Sequence, residues 1–180
     1  MRVISGKYKG RNMVMPAGIR PTQNRVRKAI FDILGDIADL SFLELFAGSG
    51  AVGFEAASRG VTELTLVEDS RDALKAIINN IESFDITYCN LYSFDVERAI
   101  QLFYKEKLRF DIIFMDPPYY TGVSKKTLQM LSGYDILAPN GLMVVQHFKK
   151  DELPDRSGSL ELVKRSKYGD TLLSVYRKKV

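Results

Sequence analysis

Tryptophan is absent from this chain of 180 residues, and cysteine and histidine occur once each, as Cys89 and His147. A single cysteine excludes an internal disulfide, and no Cys/His cluster offers zinc spacing, so no metal is expected. Long apolar runs are missing as well. Nothing approaches the roughly 18 residues of a membrane span, and the basic start MRVISGKYKG has no apolar stretch of signal-peptide type. A cytoplasmic protein without membrane attachment is the expectation. Cys89, in an apolar stretch, reads as inert core rather than as a nucleophile. Acid is absent from the first 31 residues, which hold eight basic ones: Arg2, Lys7, Lys9, Arg11, Arg20, Arg25, Arg27 and Lys28. The rest carries 18 basic residues against 22 acids. A basic arm on an acidic body is the electrostatic footprint of a polyanion-binding protein, or else a solubilising face.

What is present is alternation. RVISGKYKGRNMVM reads as two short strands about a Gly-Lys-Tyr-Lys-Gly turn, a basic hairpin. Thr22 is placed to cap a helix carrying Val26, Ile30, Ile33 and Leu34 on one face and ending near Gly35. SFLELF, ELTLVE, ITYCNLYSF, FDIIFMD and GLMVVQHF then read as strands, separated by helical segments. LELVKRSKYGDTLLSVYRK closes the chain as a hairpin about Gly169-Asp170. The pattern predicts an α/β fold: a mostly parallel Rossmann-like sheet, helices on both faces, and an antiparallel C-terminal hairpin strand. In such sheets ligands bind beyond the carboxyl ends of the strands.

Two loops at such positions carry chemistry. ELFAGSGAVG sets Gly48, Gly50 and Gly53 in a G-x-G-x-x-G array between a strand and a helix. Glycine permits left-handed backbone and close ligand approach, and the helix start offers unpaired N–H groups. Glu68 ends the next strand twenty residues on, where a carboxylate can bind ribose hydroxyls. Glu44 lies inside an otherwise apolar strand, and a buried carboxylate needs a partner. A cationic ligand such as S-adenosylmethionine would supply one, which favours it over NAD. The second loop is DPPY, Asp116-Pro117-Pro118-Tyr119. The Asp116 carboxylate and the Pro117 carbonyl can accept hydrogen bonds from an exocyclic amino group. Both prolines hold the acceptors still, and Tyr119 offers a face for a base. A plain strand cap is the structural alternative.

RVISGKYKGR, RPTQNRVRKAIFDIL, ELFAGSGAVGFEAASRG, LVE and DPPY, in that order, resemble the class I S-adenosyl-L-methionine-dependent methyltransferases. More narrowly they are similar to the RsmD family, which methylates the 2-amino group of a guanine in 16S rRNA. The resemblance reaches from Arg2 to Tyr119. It implies that Gly48, Ser49 and Gly50 cradle the methionine part of the cofactor, with Glu44 and Thr22 nearby. It implies Glu68 on the ribose, Asp95 near the adenine amino group and Asp116 to Tyr119 at the target base. It puts 16S rRNA, in the small subunit or an assembly intermediate, against Arg2, Lys7, Lys9, Arg11, Arg20 and Arg25. Residues 1–20 are then a basic hairpin arm and 21–180 the methyltransferase domain. Asn24 stands where the family often has an acid and receives no catalytic role. Gln146-His147 likewise stands where an acid is expected, and His147 reads as a capped strand-end residue. The alternatives are an adenine 6-amino methyltransferase acting on DNA or RNA, an NAD-dependent oxidoreductase, and a noncatalytic RNA-binding factor.

Overall fold

A computed structural model of the chain describes residues 1–18 and 22–179. They form two compact units, Met1–Asp95 and Val96–Val180. In the first, helices and strands alternate as α1 (Asn24–Leu34), β1 (Ser41–Leu45), α2 (Ala51–Ser58), β2 (Glu63–Val67), α3 (Arg71–Phe84) and β3 (Cys89–Tyr92). The strands are ordered β3-β2-β1 and both pairings are parallel. The second unit runs α4 (Val96–Lys105), β4 (Phe110–Met115), α5 (Val123–Gly133), β5 (Leu137–Phe148), β6 (Arg156–Ser157), β7 (Leu160–Tyr168) and β8 (Thr171–Lys178). Its order is β4-β5-β8-β7-β6, with β4 and β5 parallel and the others antiparallel. This is the Rossmann-like α/β plan with an antiparallel C-terminal addition.

The elements follow from residue type. β1 is buried from Phe42 to Leu45 and β2 from Leu64 to Val67, as strands covered on both faces must be. Every residue of α2 is buried, so its sequence, AVGFEAAS, is apolar all round apart from Glu55 and the terminal Ser58. α1 ends at Gly35, with φ of 74°.

Three expectations change. The N-terminal hairpin shrinks to one antiparallel bridge, Arg2 with Asn12. Val3, Gly10 and Met13 still donate across it, to Arg11, Val3 and Met1 at 3.1, 2.9 and 2.8 Å, while other backbone donors go to α2: Ile4 and Ser5 donate to the Glu55 carboxylate at 2.7 and 3.0 Å. Lys7 and Tyr8 donate to the Ser58 carbonyl and hydroxyl at 2.7 and 2.8 Å. Gly6 makes this approach possible: its φ is 78°, and a Cβ there would fall 1.8 Å from the Ser58 carbonyl oxygen. Residues 1–18, read as part of an arm, thus lie within the first unit, with Val3, Tyr8 and Met13 buried. Thr22 does not cap α1; the N-cap is Gln23, without a side-chain bond. The C-terminal hairpin adds more than one strand, since β8 inserts between β5 and β7, and β6 extends the edge.

Candidate active site

In the first unit, three loops leave the carboxyl ends of β1, β2 and β3. Parallel pairing puts all three on one edge of that sheet. The first carries Gly48, Ser49 and Gly50, with φ of 57° at Gly48 and 71° at Gly50. Glu68 closes it from β2: its Oε2 accepts the Gly48 N–H at 2.6 Å, and its Oε1 accepts from Asp69 and Ser70 at 3.0 and 2.8 Å. Glu68 is half-buried, and Asp95, after β3, is exposed. Glu44 is buried below the loop and accepts the Gly53 N–H at 2.7 Å. A Cβ on Gly53 would sit 2.7 Å from that same carboxylate oxygen, which is why the third glycine of the array is glycine. The partner expected for Glu44 thus includes the protein's own helix start.

This donor set has a chemical sense. In a dinucleotide site the loop and helix N–H groups face a pyrophosphate. Here carboxylates already take the Gly48 and Gly53 N–H groups. Their charge opposes a phosphate and suits a ligand with hydroxyls and a positive centre. Cys89, on β3, adds no nucleophile: burial, and then the Glu44 carboxylate, push its thiol up to about 12.

In the second unit, β4 ends at Met115, whose parallel partner is Val145 of β5. Asp116 and Gln146 therefore emerge side by side, and Gln146 Nε2 donates to Asp116 Oδ2 at 2.7 Å. Pro117 is buried and Pro118 exposed. The Tyr119 hydroxyl lies 3.1 Å from Thr171 Oγ1, and its ring is 6.0 Å from Phe148. This tie holds the ring of Tyr119 at the end of β5. Tyr120 follows with φ of 65° and 75 % exposure, its ring 4.6 Å from Phe148. A tyrosine in left-handed backbone is uncommon, and only the Pro-Pro-Tyr-Tyr-Thr-Gly turn signal could have marked it. His147 is fully buried on the opposite face of β5, its ring nitrogens 2.8 Å from Ser174 Oγ and 3.1 Å from the Phe148 carbonyl. Burial lowers its pKa. That is the satisfied strand-end residue anticipated, not an accessible base.

The family of these loops is settled by comparison. A model of the family described as Conserved hypothetical protein 95 matches residues 1–177. The chain belongs to that family, the RsmD family. It is 36% identical to YlbH of Bacillus subtilis over 183 residues, covering 99% of this chain and 100% of that one. It is 29% identical to Ribosomal RNA small subunit methyltransferase D of Escherichia coli K12 over 181 residues, covering 99% and 90%. Among solved structures, a hypothetical protein of Thermus thermophilus superposes with a TM-score of 0.87 at 33% identity, covering 100% of this chain and 99% of that one.

In this RsmD-family chain the basic residues divide. Arg2, Lys7, Lys9, Arg11 and Arg25 are exposed. Arg2 Nε donates to Asn12 at 3.1 Å, and Arg11 lies over the rings of Phe84 and Tyr8. Arg20 lies outside the described residues. Arg27, counted by the charge pattern with the others, is fully buried. Its guanidinium donates to the Arg2 carbonyl and to Asn24 Oδ1 at 2.5 and 3.0 Å, with Nε 3.9 Å from Glu55. Burial lowers its pKa, against the opposing pull of Glu55 and Glu44. Arg59 also pairs with Glu55, at 3.1 Å. Sequence reading missed this cluster. Its signal was a lone acid within the apolar stretch of α2, which has to find a cation.

Proposed function

We propose that this chain transfers the methyl group of S-adenosyl-L-methionine to the exocyclic 2-amino group of a guanine in 16S rRNA, in the small ribosomal subunit or an assembly intermediate. The observation that carries the reading is the Asp116 carboxylate, held at the end of β4 and followed by Pro117, Pro118 and Tyr119. The names of relatives such as Ribosomal RNA small subunit methyltransferase D support rRNA as the substrate. When bound, the cofactor would supply an electrophilic methyl on a sulfonium, whose carbon–sulfur bond breaks in the transfer to leave a neutral thioether.

The chain's own residues do the rest. Gly48, Ser49 and Gly50 cradle the methionine part, Glu44 adds negative charge below it, Glu68 accepts from the ribose hydroxyls, and Asp95 receives the adenine amino group. Thr22 borders the same cofactor. Asp116 and the Pro117 carbonyl accept the two N–H groups of the target amine and localise its lone pair for attack. The amino group is too weakly acidic to be deprotonated first. Its proton leaves once the new N–C bond has made the nitrogen cationic, and Asp116 can receive it. Tyr119 stacks on the base, which must be unpaired or flipped. The exposed cations Arg2, Lys7, Lys9, Arg11 and Arg25, together with Arg20, bind phosphates, so residues 1–20 act as the RNA-facing element. An rRNA substrate goes with a cytoplasmic chain, and no helix of the described residues is long and apolar enough to cross a membrane.

Methyl transfer from radiolabelled cofactor to small-subunit particles lacking native modification, with nucleoside analysis, tests the reading. N2-methylguanosine is expected. N6-methyladenosine would move the chain to the adenine class, and no transfer would leave an RNA-binding factor.

A further inference from the structure

We infer that Gln146 is a positioning residue that holds the Asp116 carboxylate in its working orientation, an inference that rests on the proposed methyl transfer for its kinetic readout. The parallel register of β4 and β5 brings the two residues together one step beyond the Met115–Val145 pair. Gln146 is 5 % exposed. Among the described residues its side chain makes one hydrogen bond, Nε2 to Asp116 Oδ2 at 2.7 Å. Its Oε1 is buried with no partner. Turning the amide over would set Oε1 against a carboxylate oxygen, so the donor end must face Asp116.

The neighbour on β5 shows what a purely structural polar residue looks like there. Both ring nitrogens of His147 have partners, and Ser174 also receives Arg165 Nε at 3.2 Å. Gln146 instead leaves one polar end unsatisfied in the interior, which native proteins rarely tolerate. What its amide secures is a short bond to an anion, stronger than a neutral one. An acid, the residue expected here, would share a proton with Asp116 and put a second negative charge beside it once that proton is lost. The neutral amide keeps a donor in place at every pH. Tyr119 bonds Thr171, His147 turns to the opposite face with Arg165 beyond it, and Lys149 pairs with Asp170 at 2.6 Å.

The experiment uses the full chain as wild type, Gln146→Met and Gln146→Glu. Single-turnover methyl transfer to unmodified small-subunit particles is measured from pH 6 to 9 at saturating cofactor and particle. Cofactor affinity is followed by calorimetry. Gln146→Met should slow turnover by roughly tenfold or more at every pH while cofactor affinity stays within twofold. Gln146→Glu should keep most of the rate at pH 6, where the shared proton serves as donor, and lose it as pH rises. A Gln146→Met rate within twofold of wild type, or a Gln146→Glu profile that superposes on wild type, would overturn the inference. A carbon-13 NMR titration of the Asp116 carboxyl decides it without any activity. The midpoint should move to higher pH in Gln146→Met, where the anion loses the Gln146 amide as a donor, and an unmoved midpoint would overturn it. If wild type methylates no RNA while the Asp116 midpoint still moves in Gln146→Met, the proposed function falls and Gln146 keeps its role.

Discussion

Two carboxylates meet the loops of this chain in different ways. Glu68, in the first unit, is held by three backbone N–H groups, from Gly48, Asp69 and Ser70. Asp116, in the second, is held by a side-chain amide, Gln146. Backbone donors are part of the fold, so a carboxylate that satisfies them serves stability and ligand binding at once. A carboxylate met by a side-chain amide has a narrower task, and an isosteric amide can stand in for part of it. Glu55 marks the far end of the first kind, because its burial and its bonds to Ile4, Ser5, Arg27 and Arg59 leave it wholly structural.

The comparison can be broken at its strongest point by Glu55→Ala. That change strands the buried Arg27 guanidinium and two backbone donors, and should lower unfolding free energy by about 3–5 kcal/mol in a urea titration. A loss below about 1 kcal/mol would show that the N-terminal segment finds other partners. Next in size, Asp116→Ala should slow single-turnover methyl transfer by about 2.7–4 kcal/mol of transition-state stabilisation. Asp116→Asn keeps a carbonyl acceptor for Gln146, so it should retain more rate and unfold within about 1 kcal/mol of wild type. Glu68→Gln sharpens the contrast. One carbonyl oxygen cannot serve three N–H donors on two sides, so both cofactor affinity and stability should fall, the affinity by about 1.5–3 kcal/mol. Calorimetry showing full affinity would remove Glu68 from the cofactor site. The smallest effect is expected at the surface. Changing Lys7 and Lys9 to Glu should flatten the log–log salt dependence of RNA binding by roughly 0.7–0.9 per lost phosphate contact while cofactor affinity holds. An unchanged slope would make these lysines a solubilising face.

Much of this was legible in the residues alone. Strand and helix alternation marked β1 to β5, because buried parallel strands read as apolar runs. The glycine spacing marked the loop after β1, because glycine enters left-handed backbone, φ of 57° and 71° there, at no steric cost. DPPY was visible as an acid set before two rigid residues. Bonds between distant residues were not. The Gly53 contact with Glu44, nine residues away, was hidden, as was the hold of Glu55 on Ile4 and Ser5, some fifty away. The sequence by itself determined the order of elements, the loop chemistry and the basic start. Only tertiary structure decided that Arg27 is core while Lys7 is surface, that Ile4, Ser5, Lys7 and Tyr8 give their backbone donors to α2, and that Gln146 meets Asp116. The physical reason is that local pattern reports the period of burial, whereas a hydrogen-bond partner depends on strand register and on which helix covers which face.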